Sequence, residues 1–149
     1  MVTSLRLLDA LIGLDYLLAE DLDSFLRREN LGRTQVRLLW SVYEGGPCSQ
    51  RRIAEALGLS ARAVSGLIDT LEQSGFVIRQ DDPNDRRAHV ISLSAHSSEL
   101  CDRMQADREE LASSLLSALP ARDASVVITG LEAITERLAE LIAAQDAES

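Results

Sequence analysis

The 149-residue chain contains no lysine: all fifteen of its cations are arginine, against 24 aspartates and glutamates. Its two cysteines, Cys48 and Cys101, are too few for a disulfide framework. Three prolines and eight glycines leave long stretches unpunctuated, which excludes collagenous, loop-rich and disordered chains and favours helices. Only two Phe, two Tyr and one Trp are present, too few for the stacking platforms of single-strand binders. No apolar run approaches the ~18 residues of a membrane span. No hydrophobic signal region leads the sequence, so a soluble, cytoplasmic protein is expected, without a membrane partner. A Gly-rich phosphate loop, a nucleophile elbow and an HExxH motif are also missing, which argues against an enzyme. His89 and His96 have no Cys or carboxylate at ligand spacing, so neither a metal nor another cofactor is expected. Glu109-Glu110 reads as a solvated helix face.

A chain of this length makes one typical domain and can remove roughly 70% of its unfolded surface from water without a staple. The net charge of −9 disfavours a polyanion partner, but its distribution matters more than its total. Between Cys48 and Leu93, six arginines meet six acids; the flanks carry nine cations and eighteen anions. A neutral, Arg-bearing middle therefore sits between acidic arms.

Those arms are helical by pattern. From about Ser4 to Arg28, Leu8, Leu11, Ile12, Leu18, Leu22, Phe25 and Leu26 return at three- and four-residue spacing, broken by Asp15. Leu5, Leu7, Leu14 and Leu17 widen that stripe beyond what one small core needs, which points to a subunit interface. Thr34 can cap a second helix through about Tyr43, stopped by Gly45-Gly46-Pro47. After about Ser94, Leu100, Met104, Leu111, Leu115 and Leu119 mark a long helix. Its roughly 23 residues would reach about 35 Å. Pro120 is expected to open a last helix carrying Val127, Leu131, Ile134, Leu138 and Leu141, with Asp123 suited to its positive end.

The middle carries the functional information. Ser49 is a good N-cap for Gln50 to Leu57, and Gly58 is placed to end that helix in the left-handed conformation. Ser60 caps a second helix, Ala61 to about Ser74, stopped by Gly75. Two short helices joined through a glycine turn have the layout of a helix-turn-helix. Phe76-Val77-Ile78-Arg79 is then β-prone, Asp81 to Asp85 is a turn, and His89 to Leu93 alternates apolar and polar. A hairpin in that position is a wing, and Arg86-Arg87 is what a DNA-contacting tip would carry.

The run Gln50 to Ser60, followed by Val64, Leu67-Ile68-Asp69, Leu71, Gly75 to Arg79, Asp81 to Arg87, Val90, Leu93 and Ser94, resembles the MarR-type transcription regulators, the multiple-antibiotic-resistance regulator family. The D-x-R of the wing is the most specific part. Ser94 and Ser97 depart from the Thr and Gly that the family often has there. The fold expected is mainly α with a small β-hairpin wing: a winged helix-turn-helix at 31–94, flanked by a helical dimerisation region at 1–30 and 95–149. The resemblance implies a homodimer that reads double-stranded DNA at a palindromic operator, as a repressor released by a small-molecule effector.

In a helix-turn-helix the early turns of the second helix enter the major groove. The candidates there are Ser60, Ala61, Arg62, Ala63, Ser65 and Gly66. Arg62, the one long donor, suits either guanine O6/N7 or a phosphate. Gly66 costs helix stability by ~1 kcal/mol relative to Ala, and either close approach of DNA or relief of crowding would account for it. Ser49, Gln50 and Arg51 are candidate phosphate contacts through side chains and helix amides. By resemblance Arg87 is the minor-groove arginine, Asp85 holds it in place and Arg86 meets phosphate. Half-sites should lie about 10 base pairs, or 34–36 Å, apart. Tyr16, Trp40 and Tyr43 are candidates for the wall of an effector pocket holding a small aromatic compound, though such residues are more often core. Two other readings compete: a winged helix that binds protein, and a redox sensor in which the helix end lowers the pKa of Cys48. Cys101 reads as inert packing.

Overall fold

A computed structural model describes residues 2–82 and 89–147. Among them six α-helices and three strands follow in the order α1 (Val2–Glu29), α2 (Arg33–Gly45), β1 (Cys48–Ser49), α3 (Gln50–Leu57), α4 (Ala61–Gln73), β2 (Val77–Asp81), β3 (His89–Leu93), α5 (Ala95–Ser117) and α6 (Ala124–Ala147). The expected fold class is the one observed, a mainly α winged helix-turn-helix. The chain divides into two compact units, Met1–Cys101 and Asp102–Ser149, with the division falling inside α5.

In the first unit, local chemistry sets the helix ends. At Gly58 (φ 66°) the Leu59 N–H donates to Ala54 O at 3.1 Å and the Gly58 N–H to Glu55 O at 3.4 Å. At Gly75 (φ 76°) the Phe76 N–H donates to Leu71 O at 2.8 Å and the Gly75 N–H to Glu72 O at 3.0 Å. Both are Schellman closures, which need a left-handed residue to return the chain onto its last carbonyls. α1 closes in the same way with Asn30 (φ 54°) in that place. α2 ends at the Gly45-Gly46-Pro47 stop, but Thr34 does not cap it. Gly32 does, with its N–H donating to Gln35 Oε1 at 2.7 Å, so the helix begins two residues earlier.

The core of this unit lies among α2, α3, α4 and the sheet, where Leu38, Leu39, Ile53, Val64, Ile68, Leu71, Ile91 and Leu100 are essentially inaccessible. The sheet is antiparallel in the order β1-β3-β2, with Arg79 opposite Ile91 and Asp81 opposite His89. β1 was not expected: Cys48 pairs with Ile91 and Ser49 with Val90, so the residue before α3 is anchored to the central strand. Arg37 Nη2 donates to Leu57 O at 3.4 Å, joining α2 to one of the carbonyls left open at the end of α3.

Ser94 opens α5. Its Oγ accepts from the Ser97 N–H at 3.2 Å, its carbonyl accepts from the Ser98 N–H at 2.9 Å, and its own N–H donates to Phe76 O at 3.0 Å. Ser97 is fully buried, and its hydroxyl also donates to Phe76 O. The two serines that depart from the family pattern thus tie the start of α5 to the α4–β2 corner.

The second unit holds the rest of α5 and all of α6. α6 begins at Ala124, not at Pro120: the Pro120 carbonyl accepts from the Asp123 N–H at 2.8 Å, a turn that precedes the helix, and Asp123 O takes the first helical bond, from Val127. Among the described residues of this unit none is buried. Val126, Ile128, Leu138, Leu141 and Ile142 are exposed, as are Leu5, Leu8, Ile12, Tyr16 and Leu17 on α1 of the first unit. No helix among the described residues is long and apolar enough to cross a membrane.

Candidate nucleic-acid interface

The sequence places Ser49 ahead of α3 and Ser60 ahead of α4, and both cap. Ser49 Oγ accepts from the Arg52 N–H at 3.3 Å, and Ser60 Oγ from the Ala63 N–H at 3.2 Å. Each hydroxyl satisfies an amide that a helix start leaves open. α4 buries Val64, Ile68 and Leu71, which turns Ser60, Ala61, Arg62, Ala63 and Gly66 outward and leaves Ser65 half-buried. Five of the six early positions of the second helix are therefore exposed together.

Gly66 lies within α4, and a Cβ built on it would meet no atom within 4 Å. Crowding inside the chain does not require this glycine. The Thr70 hydroxyl donates to the Gly66 carbonyl at 3.0 Å.

Gln50, Arg51, Ala54, Glu55, Gly58, Leu59 and Ala61 line a cleft of about 510 Å³ where α3 meets the start of α4. Gln50 is half-buried there, whereas the Arg51 side chain is 89% exposed, with Nε 2.9 Å from Glu55 Oε1. Glu55 was not singled out from the sequence, although its four-residue spacing from Arg51 is a visible signal for a helical ion pair. Arg79, on the first wing strand, was not given a role either. Its Nη2 lies 2.6 Å from Asp69 Oδ1, and its Nε 3.7 Å from Glu72 Oε2. At the other end of the paired strands, His89 Nδ1 is 3.2 Å from Asp81 Oδ1. The expected wing-tip residues Asp85, Arg86 and Arg87 lie outside the described residues.

Trp40 and Tyr43 are brought together, half-buried on α2, with ring centroids 5.3 Å apart and planes tilted by 35°. Tyr16 is 66% exposed on α1. Cys48 is buried, and the expected lowering of its pKa is reversed: burial pushes the thiol up, and the nearby Arg52 guanidinium opposes this only in part. Desolvation by burial is the larger influence at this residue, whose backbone is paired with Ile91 of β3. Cys101 is fully buried on α5. Among the described residues, no group of three or more His, Cys, Asp or Glu is arranged to hold a metal ion.

The MarR family model matches residues 31–89, from the turn before α2 into β3. Over that stretch the chain is similar to the MarR family. Its winged helix is similar to that of a MarR-like transcriptional regulator from Thermotoga maritima, at 26% identity and a TM-score of 0.70 over 87% of this chain and 94% of that one. It is also similar to Staphylococcus aureus MepR in its DNA complex, at 20% identity and a TM-score of 0.67 over 80% and 95% of the two chains, a likeness of fold. In sequence, this chain is 46% identical over 48 residues to YcgE of Bacillus subtilis (strain 168), named as an uncharacterized HTH-type transcriptional regulator. That match covers 32% of this chain and 31% of YcgE. The chain spans between 31% and 62% of the length of the curated relatives it matches. Members of the family are transcription regulators, not enzymes.

Proposed function

We propose that the chain is a DNA-binding transcription regulator, acting as a cytoplasmic homodimer that represses from a palindromic operator and is released by a small-molecule effector. The observation that carries this reading is the outward face of α4. A helix capped at Ser60 and buried through Val64, Ile68 and Leu71 offers its first two turns to an outside partner, with a wing hairpin following directly. The same fold in MepR is found in complex with DNA.

In this reading α4 enters the major groove. Arg62 pairs with guanine, Ser60 and Ser65 serve phosphate or base, and Ala63 meets a thymine methyl. Ser49, Gln50 and Arg51 hold the adjoining phosphate backbone, helped by the open amides of α3. Arg87 enters the minor groove, steadied by Asp85, with Arg86 on phosphate. Residues 1–30 and 95–149 form the dimerisation region, which accounts for apolar side chains as exposed as Leu17 (63%) and Val126 (71%). The acidic excess of those flanks would hold off non-specific contacts. Trp40 and Tyr43, with Tyr16, are the aromatic candidates for meeting the effector.

The test is selection of bound sequences from randomised duplexes, followed by anisotropy on the winner with Arg62→Ala and Arg87→Ala. A palindrome with half-sites about 10 base pairs apart is the expected product, with affinity falling steeply as salt rises. Arg62→Ala should relax one position of the site, and Arg87→Ala should weaken binding overall. Failure to enrich any sequence, with salt-insensitive or absent binding, would favour a winged helix that binds protein.

A further inference from the structure

The exposed pair at the mouth of α3 has no evident part in holding the fold together. Arg51 and Glu55 are 89% and 64% exposed, yet their side chains meet at 2.9 Å, on the wall of the cleft between α3 and α4. Arg51 is one of the cations that the DNA reading assigns to phosphate. On the other side of the interface Arg79 is met by Asp69 and Glu72, and the segment from Cys48 to Leu93 as a whole carries as many acids as arginines. A surface meant only to attract a polyanion would leave its arginines unopposed.

We infer that Glu55 is a built-in counter-ion for Arg51 that DNA phosphate must displace, and that it thereby sets how strongly the interface holds DNA of any sequence. This rests on the DNA-binding reading. An arginine neutralised only by solution ions contributes fully to counter-ion release when it meets phosphate, about 0.9 to the slope of log K against log salt. An arginine already paired must first give up its carboxylate, which then stays beside the phosphate and opposes it. Backbone contacts carry no sequence information, so weakening one lowers non-specific binding without touching the base readers on α4. For a chain of net charge −9 the pair acts in the same direction as the acidic flanks.

The experiment uses the full chain, the selected operator duplex and a scrambled duplex of equal length. Anisotropy is recorded across a salt series for wild type, Glu55→Gln, Arg51→Gln and the double variant, with thermal melts to show that all are folded. Glu55→Gln is expected to bind both duplexes more tightly at low salt and to steepen the salt slope by about 0.9 for each protomer engaged. In the Arg51→Gln background the same change should give a much smaller gain, limited to relief of the carboxylate's own repulsion of phosphate, because most of its action runs through Arg51. A gain of equal size without Arg51 would overturn the inference in favour of a general charge effect. Unchanged binding by Glu55→Gln would overturn it too. Uniformly weaker binding would make Glu55 a residue that aims Arg51 at DNA, and a loss confined to one base pair would make it a reader of cytosine N4. No salt-dependent association of the wild type with either duplex would remove the DNA-binding reading itself, and the inference with it.

Discussion

Arg79 Nη2 lies 2.6 Å from Asp69 Oδ1, so the first strand of the wing is bonded to the same helix that presents Arg62 and Gly66. The Arg79 side chain is only 25% exposed, and its Nε has no hydrogen-bond partner, with Glu72 Oε2 at 3.7 Å. A guanidinium held this far from water depends on Asp69. Replacing Arg79 by Met should cost about 1–2 kcal/mol, less than a fully buried pair because Asp69 is half exposed. Urea unfolding of Arg79→Met and Asp69→Asn checks this. If both variants lie within about 0.3 kcal/mol of wild type, the bond is not a clamp. Operator affinity should fall together with stability, since the wing and α4 would no longer hold one relative position.

Gly66→Ala separates stability from binding. With open space where the new methyl would lie, the substitution should raise stability by up to ~1 kcal/mol, since alanine loses less conformational freedom in a helix. The same methyl would stand between α4 and the groove floor, so operator affinity should drop about tenfold. Thermal melts and anisotropy on one preparation check both signs. A variant that is more stable and binds as well as wild type would show that DNA does not approach there.

Ser97 tests the corner at the head of α5. The Phe76 carbonyl that takes its hydroxyl also accepts the Ser94 N–H at 3.0 Å, so Ser97→Ala leaves no carbonyl unpaired. The expected loss is therefore about 1 kcal/mol, the net contribution of one hydrogen bond. Ser97→Val should cost more, because the site is fully buried and has no room for a second branch. Chemical denaturation of the two variants gives the order, and equal losses would contradict this account.

Much of this corner was legible in the sequence and some of it was not, for a physical reason. Ser49, Gly58, Ser60 and Gly75 act within four residues of themselves, so their caps and closures follow from residue type and spacing. β1 is two residues long, and it is a strand only because Cys48 and Ser49 meet Ile91 and Val90 some forty positions later. Thr34 and Gly32 both suit a helix start, and the Gln35 side chain folding back on the Gly32 N–H decides between them. Arg79 was visible as part of a strand, but its partners on α4 depend on how the hairpin packs. The same nonlocal packing buries Cys48 and reverses the pKa direction expected from its place beside a helix end.

That reversal has a pH signature. Burial raises the Cys48 thiol above its ordinary value of 9.0, with Arg52 opposing in part. A group that holds its proton more tightly when folded contributes stability that is complete below its unfolded pKa and is lost as pH rises through the higher folded value. Wild type should therefore lose stability above about pH 9 faster than Cys48→Ala, which lacks the titrating group. At neutral pH the thiol should label slowly with iodoacetamide, at a rate set by opening of the fold. Rapid labelling of native protein at pH 7 would restore the redox-sensing alternative.

The exposed apolar side chains of α1 and α6 lead to the last prediction. Leu17 on α1 is 63% exposed and Leu138 on α6 is 56% exposed, so in an isolated chain a charged replacement at either position should change stability by no more than about 0.5 kcal/mol. In a two-fold dimer each position occurs twice. Burying a leucine contributes about 1.5–3 kcal/mol, so losing two should weaken association about 100-fold or more, before any cost of a buried carboxylate. Sedimentation at micromolar concentration should then show a dimer for wild type and monomer for Leu17→Glu and Leu138→Glu. The variants should also lose cooperative binding to a palindrome while retaining weak binding to a half-site, because each single chain still carries its own α4 and wing. A wild-type monomer, or variants that remain dimeric, would place the contact between copies elsewhere and leave these leucines unexplained.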